Sequence, residues 1–292
     1  MAGLKEIRNR IASVKTTRQV TSAMKMVSAA KLKKAQDAIL QIRPYADKLH
    51  QILVSLGSSL GETDNSIYTM ERYPEKVLIV LITSNRGLCG GFNMSISKKA
   101  AAHVDTHYNM QNQHDHVEFL CIGKQGERQL KLQGMKVIDT KSELFNNLDF
   151  DHAGELATAI MSSFAKGNYD RVDIVYNQFR NAAVQINTVE QFLPVEMEEP
   201  DNSGRLTDFI FEPSKEYIIR ELIPRSLRIQ FYKALLDSHA AEYGARMTAM
   251  HQATDNATEL LKDLSLQYNK ERQASITNEI LEIVSGAEAL SK

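Results

Sequence analysis

The sequence predicts an α/β protein in which long N- and C-terminal helices form an antiparallel coiled coil around an inserted Rossmann-like α/β domain. Apolar residues recur at alternating spacings of three and four in the first 60 residues and again after residue 225. That spacing is typical of a coiled-coil seam. Between these stretches, short apolar runs alternate with helical patterns. We therefore expect a first helix over 1–60, an α/β domain over 75–195 and a second helix over 214–290.

The first helix carries its seam without interruption over nine positions, namely Leu32, Ala35, Ile39, Ile42, Ala46, Leu49, Leu53, Leu56 and Leu60. The same register fits four earlier apolar residues, Leu4, Ile7, Ile11 and Val14. Between the two groups it would bury four polar residues, Arg18, Thr21, Lys25 and Ser28, while Val20, Met24 and Val27 lie one residue away. We therefore expect the apolar stripe to shift in this stretch. Pro44 should bend the helix without ending it.

The second helix repeats the seam over ten positions, namely Leu236, Ala240, Tyr243, Met247, Met250, Thr254, Ala257, Leu261, Leu264 and Tyr268. No proline interrupts the residues from Arg225 to Ser285, so a helix of about 60 to 70 residues, on the order of 100 Å long, is expected. Neither helix can cover its stripe alone, so the two should pair, and the intervening domain makes the pair antiparallel. The apolar end of the second helix should extend beyond the first and need a sleeve supplied by another protein.

The middle of the chain predicts five strands, over 77–83, 117–122, 136–139, 172–179 and 184–192. Helical patterns over 95–108, 125–132 and 153–166 alternate with the first four strands, which indicates a parallel-type sheet flanked by helices. The last two strands should form an antiparallel hairpin around Asn181. The acidic segment 194–213 is typical of a linker or surface loop.

Charge is distributed unevenly along the chain, although its formal net value is only -1. Residues 1–60 contain seven lysines and four arginines against three acidic residues. A basic helix of this kind fits either a nucleic-acid-binding arm or a contact with acidic loops of protein partners. No aromatic residue lies among Lys31, Lys33 and Lys34 to stack on bases, which favours protein partners over nucleic acid.

Candidate sites for chemistry are few. The glycine-rich loop 84–93 (SNRGLCGGFN) lies between a predicted strand and a helix, where backbone amides can hold a phosphate. It lacks the Lys-Ser/Thr pair of a P-loop and the spacing of a dinucleotide fingerprint, which favours a structural turn. Cys89 has no His or acid tied to it as a nucleophile would require. The His114-Asp115-His116 run lacks an evident third metal ligand.

The two cysteines, Cys89 and Cys121, are too few for a disulfide scaffold, so we expect buried thiols in a reducing compartment. No run approaches the ~20 apolar residues that a membrane-spanning helix needs. The N-terminus also lacks the apolar core of a secretory signal. The sequence therefore predicts a cytosolic protein, attached to a membrane at most through partners.

Five sequence blocks, in order along nearly the whole chain, are specific enough to compare with a family. They are 7–14 (IRNRIASV), 23–32 (AMKMVSAAKL), 83–93 (TSNRGLCGGFN), 245–256 (ARMTAMHQATDN) and 268–287 (YNKERQASITNEILEIVSGA). Together they closely resemble the gamma subunit of F-type ATP synthases.

The resemblance implies a central-stalk rotor shaft. In that family the coiled coil stands inside a ring of alternating alpha and beta subunits and transmits torque from the proton-driven membrane c-ring, coupling hydrogen ion transport to ATP synthesis. The middle domain forms the foot, which contacts the epsilon subunit and the c-ring. Because ATP is made on the beta subunits, the resemblance implies no catalytic residue, metal or cofactor in this chain.

The resemblance also assigns contacts. Met24 and Lys25 resemble the part of the first helix that faces an acidic loop of beta. The polar contacts of the second helix with the alpha/beta ring would be Arg272, Gln273, Thr277 and Glu279. The segment containing Thr207, Asp208 and Phe209 resembles the stretch that meets epsilon and the c-ring.

Two further expectations follow from the resemblance. Neither cysteine lies in an added segment, so thiol switching is not expected. The start at Met1 without a transit peptide resembles bacterial members, which would make this a peripheral protein on the cytoplasmic face of the inner membrane.

Overall fold

The computed structural model describes residues 2–57, 67–145, 147–195 and 215–290. The chain divides into two compact units. The coiled-coil unit contains Met1–Ser28 and Met247–Lys292, and the α/β unit contains Ala29–Arg246. Both units share the two terminal helices, α1 (Ala2–Gly57) and α6 (Lys215–Leu290).

A five-stranded sheet forms the centre of the α/β unit. Its strands are β1 (Val77–Ile82), β2 (Val117–Ile122), β3 (Val137–Thr140), β4 (Arg171–Phe179) and β5 (Gln185–Leu193). They lie in the order β3-β2-β1-β4-β5, and only β5 runs antiparallel to its neighbour. All six residues of β1 are apolar and buried, as expected for a central parallel strand covered on both faces. The predicted strands and the Rossmann-like α/β fold are therefore confirmed, and the structure adds the order of the strands in the sheet.

Helices cover the two faces of the sheet. One face packs on α5 (Phe150–Ala165) and on the first part of α6, where Ile223, Leu227 and Phe231 are buried. The other face packs on α2 (Phe92–His107) and α4 (Lys124–Leu132). A single-turn helix, α3 (Asn109–Gln113), and a 3-10 turn (Glu143–Phe145) complete this unit.

Local polar contacts fix where these elements begin and turn. The Asp149 carboxylate accepts a hydrogen bond from the His152 amide at 2.9 Å, so α5 begins one turn before the predicted residue 153. In the β4–β5 turn, the Asn181 side-chain oxygen accepts from the amides of Ala183 and Val184 at 3.0 and 2.8 Å. The predicted hairpin around Asn181 is confirmed.

The α1–α6 pairing in the α/β unit follows the predicted seam. Leu32, Ala35, Ile39 and Leu49 of α1 are buried, as are Leu236 and Ala240 of α6. Lys31 contacts Tyr243, and Arg43 lies beside Asp237. The later residue of α1 therefore contacts the earlier residue of α6, which shows that the two helices run antiparallel in this unit.

In the coiled-coil unit, α1 and α6 are again antiparallel, since Thr21 meets Thr254 and Lys25 meets His251. The predicted α6 seam is confirmed here, with Met250, Ala257 and Leu264 buried.

The predicted shift of the α1 stripe is wrong. Thr21 and Ser28 are buried at the original seam positions, whereas Val20 and Val27 are 52 % and 57 % exposed. The polar residues are tolerated because their hydroxyls are satisfied locally. Ser28 donates to the Met24 carbonyl at 2.7 Å, and Thr21 donates to the Arg18 carbonyl at 3.0 Å. One continuous register therefore runs through this part of α1.

Prolines lie inside both terminal helices. As predicted, Pro44 does not end α1, which continues to Gly57. The helix α6 runs from Lys215 to Leu290 and includes Pro224. Its 76 residues exceed the 60 to 70 that the proline-free stretch from Arg225 to Ser285 alone indicated.

Candidate partner-binding surfaces

The glycine-rich loop 84–93 follows β1 at the point where the strand order of the sheet reverses, which is where open α/β folds hold their ligands. Its polar groups are bonded within the loop or to neighbouring backbone, as where the Asn85 side chain donates to the Ser142 carbonyl at 2.7 Å. The Ser84 amide donates to the Asn93 side-chain oxygen at 2.9 Å, and the Ser84 hydroxyl donates to the Arg86 carbonyl at 2.7 Å. Asn93 in turn donates to the Ser84 hydroxyl at 2.8 Å. These contacts are those of a structural turn.

Arg246 of α6 fastens this loop to the helix. Its guanidinium donates to the Gly87 carbonyl, and to the Arg86 carbonyl at 3.1 Å. The same group pairs with the Glu242 carboxylate at 2.5 Å, and both side chains are over nine-tenths buried. Burial raises the pKa of Glu242, although the hydrogen bond and charge of Arg246 act in the opposite direction. We call this set of contacts from Arg246 to Glu242 and to the loop the buried clamp. The sequence analysis did not predict it, although Glu242 and Arg246 have the i, i+4 spacing of a helical ion pair.

Cys89 lies inside the loop and is 2 % exposed. Burial raises the pKa of its thiol, despite a hydrogen bond to Ser84 and the nearby charge of Arg246. A reactive cysteine needs the opposite shift, because the thiolate is the nucleophile. Cys121 is also buried, and burial raises its pKa to about 12. The structure therefore places both cysteines as packing residues.

A second buried polar cluster surrounds Asp173 at the start of β4. His103 contacts its carboxylate at 2.9 Å, Tyr108 donates to it at 2.7 Å, and Arg171 lies 3.4 Å away. Burial alone would raise the pKa of Asp173, but these bonds and charges outweigh it and lower the pKa. The cluster ties α2 and the residue after it to the sheet.

The His114-Asp115-His116 run lies between α3 and β2, with the two imidazole centres 6.2 Å apart. Within the described ranges, no three His, Cys, Asp or Glu side chains are grouped as a metal site would require. The nearby carboxylate of Glu118 is already bonded to Lys136 at 2.7 Å and to Tyr169 at 2.8 Å.

The residues that sequence assigned to the alpha/beta ring lie in the coiled-coil unit. Met24 and Lys25 are both half-buried on α1, and the Lys25 ammonium is 3.3 Å from the His251 ring nitrogen. Arg272, Gln273, Thr277 and Glu279 are exposed on α6. Arg272 lies 21 residues beyond His251, or about 30 Å along the helix axis at ~1.5 Å per residue. The two predicted groups are therefore separate surfaces.

Apolar side chains accompany both surfaces. On α1, Val20, Met26 and Val27 face outward, with Met26 65 % exposed. Near the end of α6, five large apolar residues are 47–71 % exposed, namely Ile276, Ile280, Leu281, Ile283 and Val284. Contiguous exposed apolar residues mark interaction surfaces. The predicted apolar tip is confirmed. The α1 group was missed because the expected shift of the stripe placed Val20 and Val27 in the helix seam.

Two other predicted features have different outcomes. Thr207, Asp208 and Phe209, with most of the acidic segment 194–213, lie outside the described residues. Lys31, one of the clustered lysines, donates to the Tyr243 hydroxyl at 3.1 Å and lies 5.1 Å above its ring.

None of the described helices is long and apolar enough to cross a lipid bilayer.

A Rossmann-like unit inserted between two paired terminal helices, with exposed apolar surface on those helices, defines a coiled-coil subunit built for assembly with other proteins. A family model described as ATP synthase matches residues 3–290. The chain is 54 % identical to the ATP synthase gamma chain of Flavobacterium psychrophilum over 99 % of both chains. It is 51 % identical to that of Cytophaga hutchinsonii over the full length of both. The chain therefore belongs to the ATP synthase gamma chain family.

Solved structures show the same fold at lower identity. A chain of the Euglena gracilis mitochondrial ATP synthase rotor gives a TM-score of 0.66 at 20 % identity, covering 94 % of this chain and 99 % of that one. A chain from the central stalk and c-ring structure of the Tetrahymena thermophila enzyme gives 0.58 at 24 % identity, covering 80 % and 99 %.

Proposed function

We propose that this chain is the central-stalk rotor shaft of an F-type ATP synthase. It transmits torque between the proton-driven c-ring and the catalytic alpha/beta hexamer, and it regulates catalysis and proton flow through the complex. The observation that carries this proposal is the exposed apolar end of α6 on a full-length member of the gamma chain family. Such an end requires a surrounding protein sleeve.

The chain acts in this proposal without an active site of its own. Two features that resembled chemical sites in the sequence, the glycine-rich loop and Cys89, support this part of the proposal. The glycine-rich loop is bonded to itself and to Arg246, and the Cys89 thiol is buried with a raised pKa. ATP would be made on the partner subunits, and this chain would change their conformations mechanically.

The proposed partners are the alpha and beta subunits, the epsilon subunit and the c-ring. Residues 1–60 and 214–290 would form the shaft, and residues 75–195 would form the foot. Met24, Lys25, Arg272, Gln273, Thr277 and Glu279 would contact the alpha/beta ring, and Thr207, Asp208 and Phe209 would contact epsilon or the c-ring. The complex would place the chain peripherally on the cytoplasmic face of a bacterial inner membrane.

Replacing Arg272 tests the proposed contact with the alpha/beta ring. Arg272→Ala should lower the rate of proton-driven ATP synthesis in reconstituted vesicles about fivefold or more, which corresponds to a barrier raised by ~1 kcal/mol when an arginine anchor of the interface is truncated. Lys98→Ala is the matched control, since it also removes an exposed basic side chain, in this case from α2 of the α/β unit. Equal rates for the two variants, at equal amounts of assembled complex, would count against the proposed contact.

Recovering the complex from native membranes tests the function as a whole. A tagged copy of this chain should return alpha and beta subunits in about threefold excess over itself, as the ring in the gamma subunit family requires. Recovery of the chain without them would contradict the proposal.

A further inference from the structure

Asp237 is a buried carboxylate with no hydrogen bond to any residue that the structure describes. It lies on α6 within the α/β unit and is fully buried. Neither of its oxygens has a hydrogen-bond partner among the described residues. Among the described residues, the nearest cation is the Arg43 guanidinium of α1, and 4.0 Å separates its nitrogen from Asp237 Oδ1, which is too long for a hydrogen bond. An unsatisfied buried carboxylate is costly and calls for an explanation.

The charged groups around Asp237 act on its carboxylate through their charge but form no hydrogen bond with it. Arg43 faces it from α1, Lys233 from one turn earlier on α6, Glu190 from β5 and Tyr176 from β4. The Tyr176 hydroxyl already donates to the Glu190 carboxylate at 2.6 Å, so its proton is committed elsewhere. Two carboxylates therefore share this region with two cations, and Asp237 is hydrogen-bonded to none of these neighbours.

Burial raises the pKa of Asp237 from 3.8 to about 6. Arg43 and Lys233 lower it, and Glu190 raises it further, but burial is the largest cause. A carboxyl with a raised folded-state pKa holds its proton in the folded protein after the unfolded chain has released it. Asp237 therefore favours folding below about pH 4, and this contribution is lost as the pH rises to about 6.

Arg43 is positioned to respond to the charge on Asp237. Its side chain is 45 % exposed, so it lies at the boundary between water and the buried carboxylate. An ionised Asp237 attracts the guanidinium strongly, because the carboxylate lies in a medium of low dielectric constant. A protonated Asp237 provides no such attraction, and the guanidinium is then free to turn toward water.

We propose that Asp237 is a proton-binding site that controls a clasp between α1 and α6 in the α/β unit. When the carboxyl is ionised, it holds the Arg43 guanidinium and links the two helices. When the carboxyl is protonated, Arg43 is released to solvent and this link between the helices is lost, while their apolar seam remains.

A double-mutant cycle at two pH values tests this clasp. The full chain and its Asp237→Asn, Arg43→Gln and doubly substituted variants would be unfolded in urea at pH 7.5 and pH 5.0. Tyrosine fluorescence reports on the right region, since nine of the ten tyrosines lie in the α/β unit. At pH 7.5, Arg43→Gln should lower the folding equilibrium constant about fivefold when Asp237 is present. The same change should have little effect in the Asp237→Asn background, because residue 237 then carries no charge that attracts Arg43.

At pH 5.0, Arg43→Gln should have little effect in either background, because Asp237 is then mostly protonated. Asp237→Asn should itself raise the folding constant about tenfold or more at pH 7.5, and this gain should vanish near pH 4. The control is Lys141→Gln, which breaks the exposed pair of Lys141 and Asp139, 2.6 Å apart. The effect of Lys141→Gln on the folding equilibrium constant should be small, and it should be the same at pH 7.5 and pH 5.0.

An Arg43→Gln effect of the same size at both pH values would overturn the clasp, as would an effect that persists in the Asp237→Asn background. If Asp237→Asn does not fold, the comparison of Arg43→Gln with the wild-type chain at the two pH values still decides the matter. All these contacts lie within the chain, so failure of the clasp would leave the proposed function untouched.

Discussion

Arg246→Ala is expected to destabilise the α/β unit by about 3–5 kcal/mol, the usual cost of removing one partner of a buried ion pair. The substitution leaves the Glu242 carboxylate without its 2.5 Å partner and releases the carbonyls of Arg86 and Gly87. Urea unfolding followed by tyrosine fluorescence measures the loss. Hydrogen exchange should also show the glycine-rich loop opening more often than in the wild-type chain.

Lys131→Ala is the control for this variant, since Lys131 pairs with Glu127 at the same i, i+4 spacing. That pair lies on the surface, with the two side chains 60 % and 32 % exposed, so its loss should cost about 0.5 kcal/mol or less. The double variant Glu242→Gln with Arg246→Met should recover part of the stability, because no unpaired charge then remains buried. Equal losses for Arg246→Ala and Lys131→Ala would show that the buried clamp contributes nothing beyond an ordinary surface pair.

Gly123→Ala is expected to cost about 3 kcal/mol or more, because the residue combines a positive-φ backbone with a steric clash. Its φ is +110°, and an added Cβ would lie 2.2 Å from the Thr83 carbonyl oxygen at the end of β1. Relief of the clash would move α4 away from the sheet and break the bond from the Gly126 amide to the Thr83 hydroxyl, which is 2.9 Å long. The measurement is again the free energy of unfolding.

Two other glycines separate the causes of this effect. Gly134 has a φ of +75° but open space at its Cβ, so Gly134→Ala should show only the backbone cost, about 1–2 kcal/mol. Gly87 has neither a positive φ nor a neighbour within 4 Å, so Gly87→Ala should change stability by about 1 kcal/mol or less. If Gly123→Ala costs no more than Gly134→Ala, the close approach to Thr83 does not matter.

The five strands and the two terminal helices could be predicted from sequence because their signals are local. The apolar run at Val77–Ile82 can be buried on both faces only as a central strand, and the α6 seam repeats over ten positions. The exposed tip was also predictable, because apolar residues from Ile276 onward lie on more than one face of the helix.

The α1 register was predicted wrongly for a physical reason. Hydrophobicity alone favoured Val20 and Val27 over Thr21 and Ser28 as buried residues. The three–four spacing that continues into the buried Leu32 and Ala35 keeps Thr21 and Ser28 in the seam, and their hydroxyls bond to helix carbonyls, so no buried donor is left unsatisfied. The outward-facing valines then became available for partners.

The sequence by itself determined the sheet, the helix pair and the family, because the apolar periodicity and the family motifs each lie within a contiguous stretch of residues. Only the tertiary structure showed that Arg246 closes the glycine-rich loop, that Glu242 pairs with it, and that Asp237 lies beside Arg43 without a hydrogen bond. The partners of Arg246 in the loop are about 160 residues away, and Arg43 and Asp237 are nearly 200 residues apart. Burial and pairing of such charges depend on which surfaces the fold brings together, and no local pattern encodes that.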